Sequence, residues 1–177
     1  MSLITIGIDP GKTGAIAAVM GEDLMWIEDL PVIDGRLAPA LLDKLYLSNL
    51  YGPWHMEPGS TPVAIEQVHA MPKQGVTSVF SLGANYGALL GYFTAHHHRI
   101  TEITPTEWKA TFRLNGIGKG LAPAAAKRAR KDASLARAVA LWPAHAELFA
   151  RKGDDGRAEA ALLALHHART LRHTAAV

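Results

Sequence analysis

Two carboxylates stand where strands ordinarily keep apolar side chains. Asp9 ends the run Ile4-Thr5-Ile6-Gly7-Ile8-Asp9 before Pro10-Gly11, and Glu66 interrupts Val63-Ala64-Ile65-Glu66-Gln67-Val68. An ionised carboxylate inside a core sheet is costly unless a cation or hydrogen-bond donors accompany it. A third acidic group, Asp154-Asp155-Gly156-Arg157-Ala158-Glu159, precedes an alanine-rich stretch. Asp155 and Glu159, four apart, share one face of a helix. Brought together, Asp9, Glu66, Asp155 and Glu159 make an oxygen-rich pocket of the kind hard divalent cations prefer, Mg²⁺ with Mn²⁺ as substitute. Two such ions about 4 Å apart activate a water and stabilise the leaving oxygen in phosphodiester hydrolysis. Each acid also has an ordinary alternative. Asp9 can form an Asx turn before Pro-Gly, and Glu66 can pair with a buried Arg or Lys. Asp155 can cap a helix with Glu159 on its solvated face.

The elements that must carry these residues follow from periodicity. Residues 3–9, 15–20 and 24–30, separated by short turns, predict an antiparallel meander of three strands. Residues 37–50 have helical spacing, a Gly/Pro-rich loop covers 52–62, and 62–68 predict a fourth strand. Residues 76–97, apolar and dotted with glycine, predict a buried helix. Residues 99–104 predict a fifth strand, and Pro105 opens a short helix through Phe112. From Pro123 onward the chain is helical, with breaks at Trp142-Pro143 and Gly153. A last helix spans about 155–171, its small residues Ala158, Ala160, Ala161 and Ala164 permitting close approach to a sheet. This order is that of a ribonuclease-H-like (RNase H-like) α/β domain: a mixed five-stranded sheet flanked by helices. The expectation is one domain over residues 1–170 with a C-terminal tail over 171–177.

Composition narrows the chemistry. The 177 residues include no cysteine, which excludes disulfides, iron–sulfur clusters, Cys-based zinc sites and thiol nucleophiles. No apolar run approaches the ~20 residues that span a bilayer, and Asp9 and Lys12 interrupt any signal-peptide core. The expectation is a cytoplasmic protein with no membrane partner. The net charge of +2 hides an asymmetry, because residues 1–98 hold four Lys/Arg against nine Asp/Glu and residues 99–177 hold fourteen against seven. Between 108 and 137, Lys109, Arg113, Lys119, Lys127, Arg128, Arg130, Lys131 and Arg137 face Asp132 alone. Such a block suits phosphate contacts, a solvated helix face being the plain alternative. His96-His97-His98 is adjacent in sequence and so does not face one metal on a helix, whereas His166 lies two turns beyond the acids.

Gly7 to Thr13 imitates a phosphate-binding loop, but three residues rather than four separate its glycines and Asp9 would face a triphosphate; no nucleotide cofactor is expected. Taken together, Ile8-Asp9-Pro10-Gly11 with Gly14, Ile65-Glu66-Gln67-Val68, and Asp155-Gly156-Arg157-Ala158-Glu159-Ala160 resemble the RuvC-type Holliday junction resolvases, the phage-encoded RuvC-like branch above all. The resemblance extends from Ile4 to about His167. It implies a homodimer that binds branched DNA and resolves four-way junctions by paired symmetric nicks, using two divalent ions per site. It lays Asp9 and Glu66 on the first two metal ligands and Asp155 and Glu159 in the region of the last two. These acids are four apart here and three apart in the bacterial enzymes, so Asp154 also competes; Asp155 with Glu159 is the expected pair. Lys109 and Lys131 fall near basic positions that touch the scissile backbone. His69, Met71 and Lys73 fall in the segment that enters the junction centre, where His69 or Met71 could wedge against unpaired bases. Arg113, Lys119, Lys127, Arg128 and Arg130 complete the expected DNA-binding set. The helix over 76–97 falls on the family's dimer-forming helices, with ordinary core as its alternative. Three rival readings stay open: the same nuclease chemistry on flaps or RNA–DNA hybrids, a junction-binding module that does not cut, and, more weakly, a nucleotide-binding ATPase fragment, against which the short chain argues.

Overall fold

The computed structural model describes residues 3–11, 13–51, 59–69 and 75–175. Strands β1 (Ile4–Asp9), β2 (Ala15–Met20) and β3 (Asp23–Asp29) form the expected meander. A small hairpin, β4 (Val32–Ile33) with β5 (Arg36–Leu37), leads into α1 (Pro39–Tyr46). Then come β6 (Val63–Glu66), α2 (Val76–Ala95), β7 (Ile100–Ile103), α3 (Pro105–Thr111) and α4 (Pro123–Leu141). A 3₁₀ segment (Pro143–Phe149) and α5 (Asp155–Ala175) complete the chain. The sheet order is β3-β2-β1-β6-β7, antiparallel across β3-β2-β1 and parallel across β1-β6-β7. This is the mixed five-stranded sheet flanked by helices that the element order predicts.

Alternation along β1 separates two cores. Ile4, Ile6 and Ile8 pack with Leu42, Tyr46, Leu89 and Phe93 of α1 and α2. On the opposite face Ala15, Ala17, Val19 and Ala64 pack with the alanines and leucines of α5, joined by Trp108 and Trp142. Helix α5 is buried at ten positions, including Gly156, Ala158, Ala160, Ala161 and Ala164. It lies so close to β1 that a Cβ on Gly7 would overlap the Ala160 carbonyl oxygen and the Ala164 amide nitrogen. The glycine ahead of Asp9 therefore sets the depth at which the last helix sits.

Four local expectations are corrected. The helix expected from residue 37 begins at Pro39, because Asp34 (φ 50) and Gly35 (φ 78) close a two-residue hairpin that takes up Leu37. Asn85 of α2 fastens that hairpin, accepting from the Leu37 amide at 2.9 Å and donating to the Gly35 carbonyl at 3.1 Å. Helix α2 is not buried throughout: Asn85, Leu89 and Phe93 are, whereas Val76 is 86% and Phe80 67% exposed. Polarity does not mark its inward side, because the amide Asn85 is buried while the aromatic Phe80 is exposed. The last helix continues past Leu171 to Ala175, and the segment after Pro143 is a 3₁₀ turn. Among the described residues no helix is long and apolar enough to cross a membrane.

Candidate active site

The parallel pairing of β1 with β6 sets Ile8 beside Ile65, so Asp9 and Glu66 follow at the carboxyl ends of neighbouring strands. Both lie on the face covered by α5, whose first turns bring Asp155 and Glu159. Gly156 makes the approach possible: a Cβ there would stand 3.0 Å from Asp9 Oδ2 and would collide with the Thr13 carbonyl. Asp9 does form the Asx turn allowed as its ordinary alternative, Oδ1 accepting from the Gly11 amide at 3.0 Å. That bond occupies one oxygen and leaves Oδ2 against α5.

Glu66 meets a partner other than the Arg or Lys considered from sequence. Trp108, wholly buried on α3, donates its indole N–H to Glu66 Oε2 at 2.8 Å. Glu159 accepts from the Ser134 hydroxyl at 3.1 Å and pairs with Lys109 at 3.6 Å. Asp155 pairs with Lys131 at 2.5 Å. Asp154 is buried but faces elsewhere, accepting from the Arg151 amide at 2.6 Å and the Arg151 guanidinium at 2.9 Å. The phase of α5 thus gathers Asp155 and Glu159 with Asp9 and Glu66, and turns Asp154 to structural work.

Electrostatics show how closely the acids are gathered. Burial, then repulsion from Glu159, Glu66 and Asp155, pushes Asp9 well above the usual carboxylate range against the Gly11 amide. Burial and Glu159 also raise Glu66, opposed by Lys109 and the Trp108 N–H. Each carboxylate is turned to a partner of its own, and among the described residues no three Asp, Glu or His side chains already converge to hold an ion. The donor set nevertheless fits a hard divalent cation. It is all oxygen, it comes from three distant segments, and a double positive charge would relieve the repulsion that raises Asp9. His166, half-buried, shares a 2.8 Å hydrogen bond with Thr111 at the end of α3.

The expected DNA-binding residues divide into groups. Lys109 and Lys131 border the carboxylates. Lys127, Arg128 and Lys131 line a cleft of about 750 Å³ that runs out from Asp155 between α4 and the turn before α5. Lys152 lines it too and was missed from the sequence, although its place in Arg151-Lys152-Gly153-Asp154-Asp155, directly before the acids, was a usable signal. Arg113 and Lys119 are exposed on the connection between α3 and α4, and Arg130 is exposed on α4 away from the cleft lining. His69 is exposed just beyond β6, whereas Met71 and Lys73 lie outside the described residues. Trp108 was also missed, and nothing in the sequence ties an indole to a glutamate 42 positions away.

A β3-β2-β1-β6-β7 sheet with acids at the ends of its two central strands and on a helix laid across them defines the RNase H-like class of α/β fold. Within that class the chain has a RuvC-like fold. It matches Thermus thermophilus RuvC in complex with a Holliday junction substrate at a TM-score of 0.61 and 16% identity, covering 97% of this chain and 96% of that one. A second Thermus thermophilus RuvC structure matches at a TM-score of 0.60 and 17% identity, covering 97% of each chain. No protein-family model and no curated protein sequence matches.

Proposed function

We propose that residues 1–170 form a metal-dependent, structure-selective DNA endonuclease that resolves four-way junctions by paired symmetric nicks. The observation that carries this reading is the gathering of Asp9, Glu66, Asp155 and Glu159, bordered by Lys109 and Lys131, on a RuvC-like fold. These four carboxylates would hold Mg²⁺ or Mn²⁺, and such ions would supply the activation of water and the stabilisation of a leaving oxygen that phosphodiester hydrolysis needs. Lys109 and Lys131 balance the acids in the free protein and offer their ammonium groups to phosphate oxygens when DNA enters. The cleft beside Asp155 receives the backbone, and His69, exposed just beyond β6, contacts the junction. The exposed Val76 and Phe80 of α2 supply apolar surface for a homodimer, whose two-fold symmetry would present two sites to a two-fold junction.

The test is cleavage of an end-labelled synthetic four-way junction beside a linear duplex and a flap, with Mg²⁺, Mn²⁺ or EDTA. Symmetric nicks in the junction alone, abolished by EDTA, are the expected result. Equal cutting of all three substrates would keep the nuclease and discard the junction. Binding without cutting in either metal would favour an architectural module.

The cleft makes a separate prediction. Lys127→Gln and Lys152→Gln should each lower the slope of log affinity against log salt by about 1, measured by junction anisotropy in EDTA. Unchanged slopes would remove the cleft from the DNA path.

A further inference from the structure

We propose that Trp108 is a positioning residue for the candidate metal site: its indole N–H holds one oxygen of Glu66 and leaves the other for the cation. The inference rests on the metal-site reading above. Helix α3 is anchored at its start by a capping box, the Thr104 amide donating to Glu107 Oε2 at 2.8 Å and the Glu107 amide to Thr104 Oγ1 at 3.3 Å. With Pro105 at its first turn, the helix has a settled phase that sends residue 108 inward. There the ring is fully buried, edge-on to Phe112 with centroids 6.5 Å apart.

A buried indole N–H usually finds an acceptor, and any backbone carbonyl would serve. The acceptor present is a carboxylate of the site. Like Asp9, it is a half-buried acid that neither lysine pairs with directly, since Lys109 goes to Glu159 and Lys131 to Asp155. The same ring lies 4.8 Å beneath the Lys109 ammonium, so one side chain braces both a carboxylate and the lysine beside it. A phenyl ring would keep an aromatic face beneath Lys109 and much, though not all, of the packing, but has no proton to give. The N–H contribution is therefore separable from the hydrophobic one.

Groups that orient a metal-binding side chain typically change metal affinity 10- to 100-fold when removed. The experiment is calorimetric titration of the full-length, DNA-free protein with Mn²⁺, comparing wild type with Trp108→Phe. A rise in Kd of about 10- to 100-fold is expected. The Lys109-dependent binding of junction in EDTA should stay at the wild-type level. A second readout needs no Trp108 variant: the indole N–H resonance of Trp108 should move during Mg²⁺ titration and shift in Glu66→Ala. Wild-type Mn²⁺ affinity in Trp108→Phe, or an indole resonance indifferent to Glu66→Ala, would overturn the inference alone. A wild-type protein whose ion binding is absent, or unaffected by Asp9→Asn and Glu66→Ala together, would overturn the metal site and this inference with it.

Discussion

Asp9→Asn is expected to lower junction cleavage by at least about a thousandfold, equivalent to some ~4 kcal/mol of transition-state stabilisation, and to raise the melting temperature of the metal-free protein. The two effects share one cause. Asp9 sits where burial and three neighbouring acids oppose its charge, so that a bound cation can be attracted there. Without the cation, the folded protein holds the Asp9 proton more tightly than the unfolded chain does. A group whose pKa is raised by folding adds stability below its unfolded value, about 3.9 for an aspartate, and loses that contribution as pH climbs through the folded value. The metal-free wild type should therefore lose stability as pH rises across that window, and Asp9→Asn should flatten the decline. Melting curves in EDTA across a pH series, beside cleavage of labelled junction, read both. A variant that cuts at the wild-type rate would remove Asp9 from the site. A variant that melts lower than wild type would show that the carboxylate is held by stabilising donors instead.

Gly7→Ala is expected to destabilise the fold by at least about 3 kcal/mol, the upper end of what overpacking by one methyl costs. The added Cβ has no flexible side chain to push aside; it meets the backbone of α5 at Ala160 and Ala164. Relief requires the helix to lift from the sheet, which would open the packing of Ala158, Ala161 and Leu165 in the same core. The lift would also draw Asp155 and Glu159 away from Asp9. The variant should accordingly lose cleavage even at temperatures where it remains folded. Urea unfolding monitored by far-UV circular dichroism measures the first effect. A midpoint close to the wild-type value would mean that α5 is not seated on β1 at this depth.

Much of this arrangement is legible before any coordinates. The alternation over Ile4 to Ile8 defines a strand with one apolar face, and an aspartate at its end before Pro-Gly is anomalous enough to announce chemistry. Glu66 stands out for the same reason. The alanines after Asp155 identify a helix meant for close contact. The hairpin over residues 32–37 was also within reach, since Asp34-Gly35 is a strong two-residue turn signal. Only that turn marks it, because strands of two residues are too short to show a period.

Other features depend on distance in space rather than order along the chain. Asp154 and Asp155 are chemically identical neighbours, and only the rotational phase of α5 sends one to Arg151 and the other to Lys131. The exposed side of α2 is invisible in a segment that buries the amide Asn85 and exposes the aromatic Phe80. The pairing of Trp108 with Glu66 joins a helix to a strand through one donor and one acceptor. By itself the sequence determined which side chains were out of place in a hydrophobic core, because burying a charge is costly wherever it happens. The tertiary structure alone decided which of them share an electrostatic neighbourhood, because that depends on strand register, helix phase and a helix-to-sheet distance that missing side chains at Gly7 and Gly156 permit.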